Sequence, residues 1–172
     1  WQNALVTICS DEWVKKMAEA LVCEILEVMS DIHLRLAQRQ EEVDSRKLEA
    51  IYGFVEGEYQ IELRFLAEPR FFSRLAQNMA GSQLSSEEIQ EYAMEFFNVL
   101  CGRFLSELYK AANTAAKFYP TKYELYPDLM CLKDQVMLST LYFISDEQEL
   151  AAFSWSAKPI IDLLRRSMNV EA

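Results

Sequence analysis

A glutamate and an asparagine three residues apart, Glu95 and Asn98, are the residues of this sequence whose types and spacing could do chemistry. They lie in EYAMEFFNVLCGRFLSEL, residues 91–108, a strongly apolar stretch with the periodicity of a helix. Residues three and four apart stack on one helix face, so the two side chains are predicted to be adjacent. A carboxylate can pair with a cation, and an uncharged carboxamide can both donate and accept hydrogen bonds. The simpler alternative is a solvated polar stripe on a structural helix.

The helix that would carry this pair is predicted over about residues 86–112. Ser85, followed three residues later by Glu88, forms a capping-box pattern that marks a helix start. One broad face of the helix is apolar and is therefore predicted to lie in the core. That face consists of Ile89, Ala93, Phe96, Phe97, Leu100, Cys101, Phe104 and Leu108.

The opposite face of the same helix is polar and contains a glycine. A glycine inside a helix costs about 1 kcal/mol relative to alanine, so Gly102 needs a reason. It would either let another backbone come close or allow tight packing against a neighbouring element. Asparagine has a poor helix propensity, which makes Asn98 unexpected on a purely structural face. The polar face consists of Glu88, Glu91, Glu95, Asn98, Gly102 and Ser106.

Three further helices are predicted around this one. The first lies in SDEWVKKMAEALVCEILEVM, residues 10–29, with Ser10 as its N-cap. A short helix over residues 69–81 begins at Pro69 and ends at Gly81. The last is the amphipathic segment KPIIDLLRRSM, residues 158–168. In the first helix, the predicted buried stripe is Trp13, Met17, Ala20, Leu21, Ile25 and Val28.

Segments that alternate apolar and polar residues with period two predict β-strands between these helices. LEAIYGFVEGEYQIELRFLAE, residues 48–68, is predicted as a hairpin that turns near Gly57. Together the patterns predict an α+β fold in which a mostly antiparallel sheet packs against long helices. The other predicted strands are residues 32–39, 117–126, 135–145 and 149–156.

Length and charge limit the class of protein. A chain of 172 residues fits a single domain. The formal net charge of −10 disfavours nucleic acid and an anionic membrane surface as partners, because both attract clustered Lys and Arg. No apolar run is long enough to predict a transmembrane helix, and WQNALVTICS lacks the features of a secretory signal. Four cysteines without a C-x-x-C pair predict a reducing compartment, and we expect a cytoplasmic protein.

Several familiar kinds of site have no support in the sequence. The single histidine, His33, lies in a strand-like segment, where a lone histidine is more often structural than catalytic, and this disfavours a Ser-His-Asp or Cys-His site. No spacing of Cys and His suits zinc, and no calcium loop or glycine-rich nucleotide loop is present. We therefore expect no metal site, and an enzyme here would use a small site or borrow chemistry from its partner.

The chain resembles the CheX/CheC/FliY phosphatases of bacterial chemotaxis. The resemblance is carried by E-x-x-N followed by Gly102 on a long helix, after a turn closed by Met79 and Gly81. The strand–turn–strand IYGFVEGEYQIELRF, with its two glycines, is similar as well. One E-x-x-N helix is visible, which favours the one-site CheX type over the two-site CheC type. The resemblance implies a CheC-like fold and one CheX-like domain over residues 1–172, matched over about 12–156 with 157–172 as an extra helix.

The resemblance also implies an activity, hydrolysis of the aspartyl phosphate of a CheY-like receiver domain. Asn98 would orient the attacking water, and Glu95 would pair with the receiver lysine. Glu88 and Glu91 would steer the partner electrostatically, and Gly102 would leave room for its loop. The Mg²⁺ would belong to the receiver, so the chain would need no cofactor of its own. Pairing of strands between subunits would make a homodimer.

Two residues depart from the family pattern. Glu91 stands where Ser or Asp is expected, and Arg103 stands where Asn tends to follow the glycine. Two alternatives to the phosphatase therefore stay open. One is a module of the same fold that binds a receiver without catalysis. The other is a dimeric structural domain whose polar helix face meets only solvent.

Overall fold

The computed structural model describes residues 11–37, 46–56, 60–112, 117–118, 122–124 and 138–169. Ser10, Gly57 and the outer parts of the strands predicted at 32–39, 117–126 and 135–145 lie outside these residues. In chain order the elements are α1 (Asp11–Ser30), β1 (Leu34–Leu36), β2 (Glu49–Glu56), β3 (Ile61–Ala67), α2 (Pro69–Ala80), α3 (Ser86–Ala112), β4 (Lys117–Phe118), β5 (Lys122–Glu124), β6 (Leu138–Ser145), β7 (Leu150–Ser156) and α4 (Ala157–Asn169).

The strands form one sheet in the order β1-β6-β7-β3-β2, with β4 and β5 pairing with different parts of the outer side of β2. Every described pairing is antiparallel. The predicted β2–β3 hairpin is confirmed, with Ile51 opposite Phe65. The predicted α+β class with a mostly antiparallel sheet is therefore confirmed.

The helices share a core with one face of the sheet. Alternate residues of β3 point to this face, and Leu63 and Phe65 are fully buried there. The Phe65 ring makes an edge-on contact with Phe96 of α3 at 5.1 Å between centroids. Farther along α3, Phe104 makes the same kind of contact with Phe153 of β7 at 5.2 Å. These contacts hold α3 across the two central strands of the sheet.

The ends of α2 and α3 follow from local sequence signals. Pro69 occupies the first turn of α2, and Gly81 ends it in a left-handed conformation with φ of 74°. The Gly81 N–H donates to the carbonyl of Gln77 at 2.7 Å. At the start of α3, Ser85 and Glu88 each donate a backbone N–H to the other's side chain, at 3.2 and 3.3 Å. Both predicted caps are thus confirmed.

The buried face of α1 differs from the predicted stripe. Ala20 is exposed, and Val28 is 79% exposed. The buried line is rotated by about one residue, because Val14 and Ala18 rather than Trp13 and Met17 point most directly at the core. The prediction that Ala20 and Val28 are buried was wrong, because a helical period alone does not fix the centre of the buried face. The full buried set is Val14, Ala18, Leu21, Val22, Ile25, Leu26 and Ser30.

The C-terminal helix belongs to the core. α4 follows β7 without an intervening loop and packs against α3. Ile160, Leu163 and Leu164 are buried in the same cluster as the α3 phenylalanines. Residues 157–169 therefore contribute to the fold that holds α3 in place.

Candidate functional site

The polar face of α3 forms an exposed ridge, called here the α3 ridge. Each of its side chains lies on the side of the helix opposite the fully buried Phe97 and Leu100. The structure brings together all the residues that the sequence predicted for the site. The α3 ridge consists of Glu88, Glu91, Glu95, Asn98 and Gly102, and all five are exposed.

Glu95 and Asn98 lie side by side near the middle of the ridge. The two residues are three apart in a continuous helix, which places their side chains about 5–6 Å apart at Cβ. Among the described residues, neither side chain has a hydrogen bond or an ion pair. Phe96 and Phe97 between them are fully buried and anchor the backbone. The pair is therefore rigidly held and available to a partner.

Gly102 lies one turn beyond Asn98. A Cβ built at this position meets nothing within 4 Å in the described part of the chain. Packing against the described residues therefore does not require a glycine here. The close approach of another backbone stays a prediction.

The acidic residues of the ridge have different surroundings. The Glu88 carboxylate accepts the Ser85 N–H, so this side chain helps to start the helix. Glu91 is exposed and, like Glu95, has no ion pair with any residue in the described ranges. Three carboxylates within eight residues give the first half of the ridge a negative potential, which favours a partner that presents a cation.

Arg103 borders the ridge on the side of α1. Its two terminal nitrogens lie 3.4 and 3.5 Å from the carboxylate oxygens of Glu24. This contact was not predicted, because it joins helices 79 residues apart in sequence. Val99 lies between Glu95 and Arg103 in the same helical row and is 38% exposed.

The two described cysteines are not activated nucleophiles. Burial raises the pKa of the Cys101 thiol well above its ordinary value. Burial and, after it, the charges of Glu19 and Glu27 raise the pKa of Cys23. Both thiols therefore stay protonated at neutral pH. Since the thiolate is the reactive form of cysteine, neither thiol is an activated nucleophile. The single histidine, His33, is exposed and contacts Asp31 at 3.1 Å, away from the ridge.

The described ranges contain neither a candidate metal site nor a candidate membrane-spanning helix. No three His, Cys, Asp or Glu residues there form a group that could hold a metal ion. In the same residues, no helix has the length and apolar character needed to cross a membrane.

No family model matches the sequence, and no curated protein matches it. Solved structures do share its fold. A CheX chemotaxis protein from Vibrio vulnificus matches with a TM-score of 0.65 at 11% identity, over 86% of this chain and 97% of that chain. The CheX of a CheX–CheY–BeF3–Mg²⁺ complex from Borrelia burgdorferi matches with a TM-score of 0.57 at 10% identity, over 81% and 94% of the two chains.

The likeness extends to other proteins of the same fold. A FliM middle domain from H. pylori matches with a TM-score of 0.58 at 12% identity, over 90% of this chain and 99% of that chain. A CheC-like protein from Shewanella and FliY from Thermotoga maritima each match with a TM-score of 0.60. The chain therefore has the CheC-like α+β fold. Because all these identities are low, the likeness concerns the fold, and function has to be argued from the ridge.

Proposed function

We propose that this chain, which has the fold of CheX, CheC-like and FliY proteins, hydrolyses the aspartyl phosphate of a CheY-like receiver domain. One observation carries the proposal. Glu95 and Asn98 stand exposed, adjacent and without partners among the described residues, on a helix anchored in the core. A solvated structural face does not require a carboxamide at this position. A group that orients a water molecule, by contrast, has to be rigidly held and free of other hydrogen-bond partners.

The reaction itself needs positioning more than it needs a protein nucleophile. Water attacks phosphorus in line, the bond from phosphorus to the receiver's aspartyl oxygen breaks, and the products are inorganic phosphate and a free aspartate. Asn98 supplies a carboxamide oxygen that accepts a hydrogen bond from the water and an N–H₂ group that donates to an oxygen. It carries no charge that would repel the phosphoryl group.

Glu95 is proposed to fix the register of docking. A lysine of the receiver would pair with its carboxylate, three residues from Asn98, and so set the carboxamide against the phosphoryl group. Glu91 adds negative potential on the same side, which favours the encounter more than the final affinity. In this proposal Glu88 contributes to the field while its carboxylate caps the helix.

The Mg²⁺ in this proposal belongs to the receiver. The CheY in the Borrelia burgdorferi complex is a BeF3–Mg²⁺ form, which supports a receiver that arrives with its metal. The chain itself then supplies only hydrogen-bonding and charged groups. Since receiver domains act on intracellular signals, we propose a cytoplasmic location.

A second candidate is receiver binding without hydrolysis. It is favoured by Arg103, which replaces a small amide side chain of the family pattern with a cation paired to α1. The same fold is also that of a FliM middle domain, so the fold does not choose between the two functions. The two candidates differ in whether Asn98 accelerates phosphate loss.

The decisive experiment follows the loss of phosphate from phosphorylated CheY-like receivers of the source organism. Wild-type protein should accelerate the loss, and Asn98→Ala should remove about 100-fold or more of the acceleration, the low end of what a positioned hydrogen-bonding group contributes. Binding of Asn98→Ala to the BeF3–Mg²⁺ form of the same receiver should persist. Ser106→Ala, which removes a polar group from the exposed side of α3 two turns on, serves as the control and should keep wild-type activity. Equal acceleration by Asn98→Ala and wild type would falsify the assignment.

A further inference from the structure

A row of side chains on α3 starts at Glu95 of the ridge and continues with an apolar and then a basic residue. Residues four apart stack along a helix, so Glu95, Val99 and Arg103 form one row over about 12 Å of the α3 axis. The row has a negative end, an apolar middle and a positive end. Arg103 is the first cation of α3, and the next is Lys110.

α1 contributes to the same surface. The Ser30 carbonyl at the end of α1 accepts a hydrogen bond from Asn78 of α2, which ends just before α3 begins. Earlier in α1, Glu24 contacts Arg103 in the second half of α3. The two contacts together indicate that α1 runs antiparallel to α3, so that Val28 lies one turn from Glu24 in the direction in which Val99 lies from Arg103. Val28 and Val99 are two of the four large apolar residues exposed in the described ranges. The apolar middle of the row thus extends onto α1.

The Arg103–Glu24 contact is weak enough to be exchanged. The two side chains are 48% and 56% exposed, and their nitrogen–oxygen distances of 3.4 and 3.5 Å are long for a charge-assisted hydrogen bond. Exposed pairs of this kind change an equilibrium constant by about two- to fivefold at most. In the free protein Arg103 therefore pairs with Glu24, but this pairing is too weak to prevent Arg103 from binding another carboxylate.

From these observations we infer that Arg103 is a docking residue for a carboxylate of the receiver and that Glu24 competes with this carboxylate for it. The inference rests on the proposed function, since it places the receiver's lysine at Glu95. It adds that the docked surface presents an apolar patch to Val99 and Val28, and an acidic side chain about 12 Å from that lysine. Such a row fixes the direction in which the partner lies along α3.

The test compares two substitutions that break the same ion pair. Arg103→Gln and Glu24→Gln remove one partner each, so their effects on folding stability should be similar. Their effects on docking should be opposite. For Arg103→Gln we expect the KM for phospho-receiver, and the Kd for the BeF3–Mg²⁺ receiver, to rise about three- to tenfold with kcat unchanged. For Glu24→Gln we expect both constants to fall about twofold, because Arg103 no longer has to leave a partner.

Two further variants complete the design. Arg103→Lys keeps the charge and should restore most of the affinity. Arg35→Gln removes the same charge from β1, whose Arg35 points to the face of the sheet away from the helices, and should change nothing. An unchanged KM and Kd in Arg103→Gln, or equal weakening by Arg103→Gln and Glu24→Gln, would overturn the inference.

The same measurements separate this inference from the proposed function. If wild type binds the BeF3–Mg²⁺ receiver without accelerating phosphate loss, the phosphatase proposal fails while the Kd values still test Arg103. If Asn98→Ala abolishes acceleration and Arg103→Gln leaves the Kd unchanged, the inference about Arg103 fails alone.

Discussion

At the scale of single residues, the docking role proposed for Gly102 carries a cost in folding stability. A glycine inside a helix is less stable than alanine by about 1 kcal/mol, and no described atom lies where its Cβ would be. We predict that Gly102→Ala raises the free energy of unfolding by about 0.5–1 kcal/mol and weakens receiver binding. Denaturant unfolding and titration with the BeF3–Mg²⁺ receiver measure the two effects.

Gly81→Ala is the matched control for that substitution. A Cβ at Gly81 also meets nothing within 4 Å, but the backbone there has φ of 74°. Alanine is strained in this conformation, so Gly81→Ala should lower the free energy of unfolding by about 1 kcal/mol and leave receiver binding unchanged. A Gly102→Ala variant that is more stable and binds the receiver as well as wild type would show that the glycine is not kept for docking.

Which site residues could be predicted depends on whether their neighbours are local. Glu95, Asn98 and Gly102 share a helix face, and helical periodicity places them together without any knowledge of the rest of the fold. Glu24 lies 79 residues from Arg103, so its contact exists only after α1 has packed on α3. Val28 shows the same limit. Its apolar side chain was predicted to be buried in the core, but tertiary packing leaves it exposed.

At the scale of elements, α2 is clamped to the β6–β7 turn by charge. Arg74 contacts the carboxylates of Asp146, Glu147 and Glu149, of which Glu149 is buried and also accepts the Ser145 hydroxyl. Because a buried carboxylate is costly unless it is paired, this clamp fixes α2 against the sheet. α2 also packs against α3, which carries the ridge.

The clamp predicts a pH dependence of stability. Partial burial acts to raise the pKa of Asp146, but the hydrogen bond and charge of Arg74 outweigh it and hold that pKa below its ordinary value. A carboxyl whose pKa is lower in the folded state stabilises the fold above its unfolded pKa, and this contribution is lost as the pH falls. Asp146→Asn should therefore lower the free energy of unfolding at pH 7 by less than about 1 kcal/mol, since the side chain is partly exposed.

The difference between wild type and Asp146→Asn should shrink as the pH falls below about 4, the ordinary range of an aspartate. Chemical denaturation at pH 7 and at pH 3 measures it. Asp162→Asn, which removes a carboxylate without an ion pair in the described ranges, is the control for the loss of one negative charge. A difference that stays constant between the two pH values would mean that Arg74 does not act on Asp146 by charge.

Elements were predicted best where their ends carry chemical signals. Pro69 and Gly81 fix the two ends of α2, and the Ser85–Glu88 capping box fixes the start of α3. The sequence of the strand predicted at 117–126 was less informative, because its described parts pair with β2 in two registers that differ by one residue: Phe118 lies opposite Val55, and Lys122 lies opposite Tyr52. A period of two identifies extended chain but does not say where a ladder breaks.

At the scale of the whole molecule, the α+β class follows from the alternation of the two periods, while strand order depends on contacts between distant segments. β6 pairs with β7 from Leu138, opposite Ser156, to Ile144, opposite Leu150. On its other side it pairs with β1 through Phe143, Ile144 and Ser145, and its next bond is from the Ala37 N–H to the Tyr142 carbonyl. Among the described residues, Leu138–Leu141 have no strand on that side.

We propose that two chains pair as a homodimer along this stretch of β6, which faces no strand in the described part of the chain. In an antiparallel strand, the N–H and C=O of alternate residues point to the same side. Since the Tyr142 carbonyl points toward β1, the N–H of Thr140, two residues away, points to the same side of β6 and away from β7. Thr140→Pro would remove this donor and spare the ladder to β7, because proline is tolerated where the N–H faces away from the sheet.

We predict that wild-type protein at micromolar concentration has twice the mass of one chain by light scattering and that Thr140→Pro has the mass of one chain. Thr140→Val is the matched control, because it keeps the N–H while losing the hydroxyl contact to Ser154 at 2.9 Å. This variant should remain dimeric, which separates strand pairing from the side-chain contact. A monomeric wild type would refute the dimer. A dimer that persists in Thr140→Pro would instead place the interface elsewhere on the molecule.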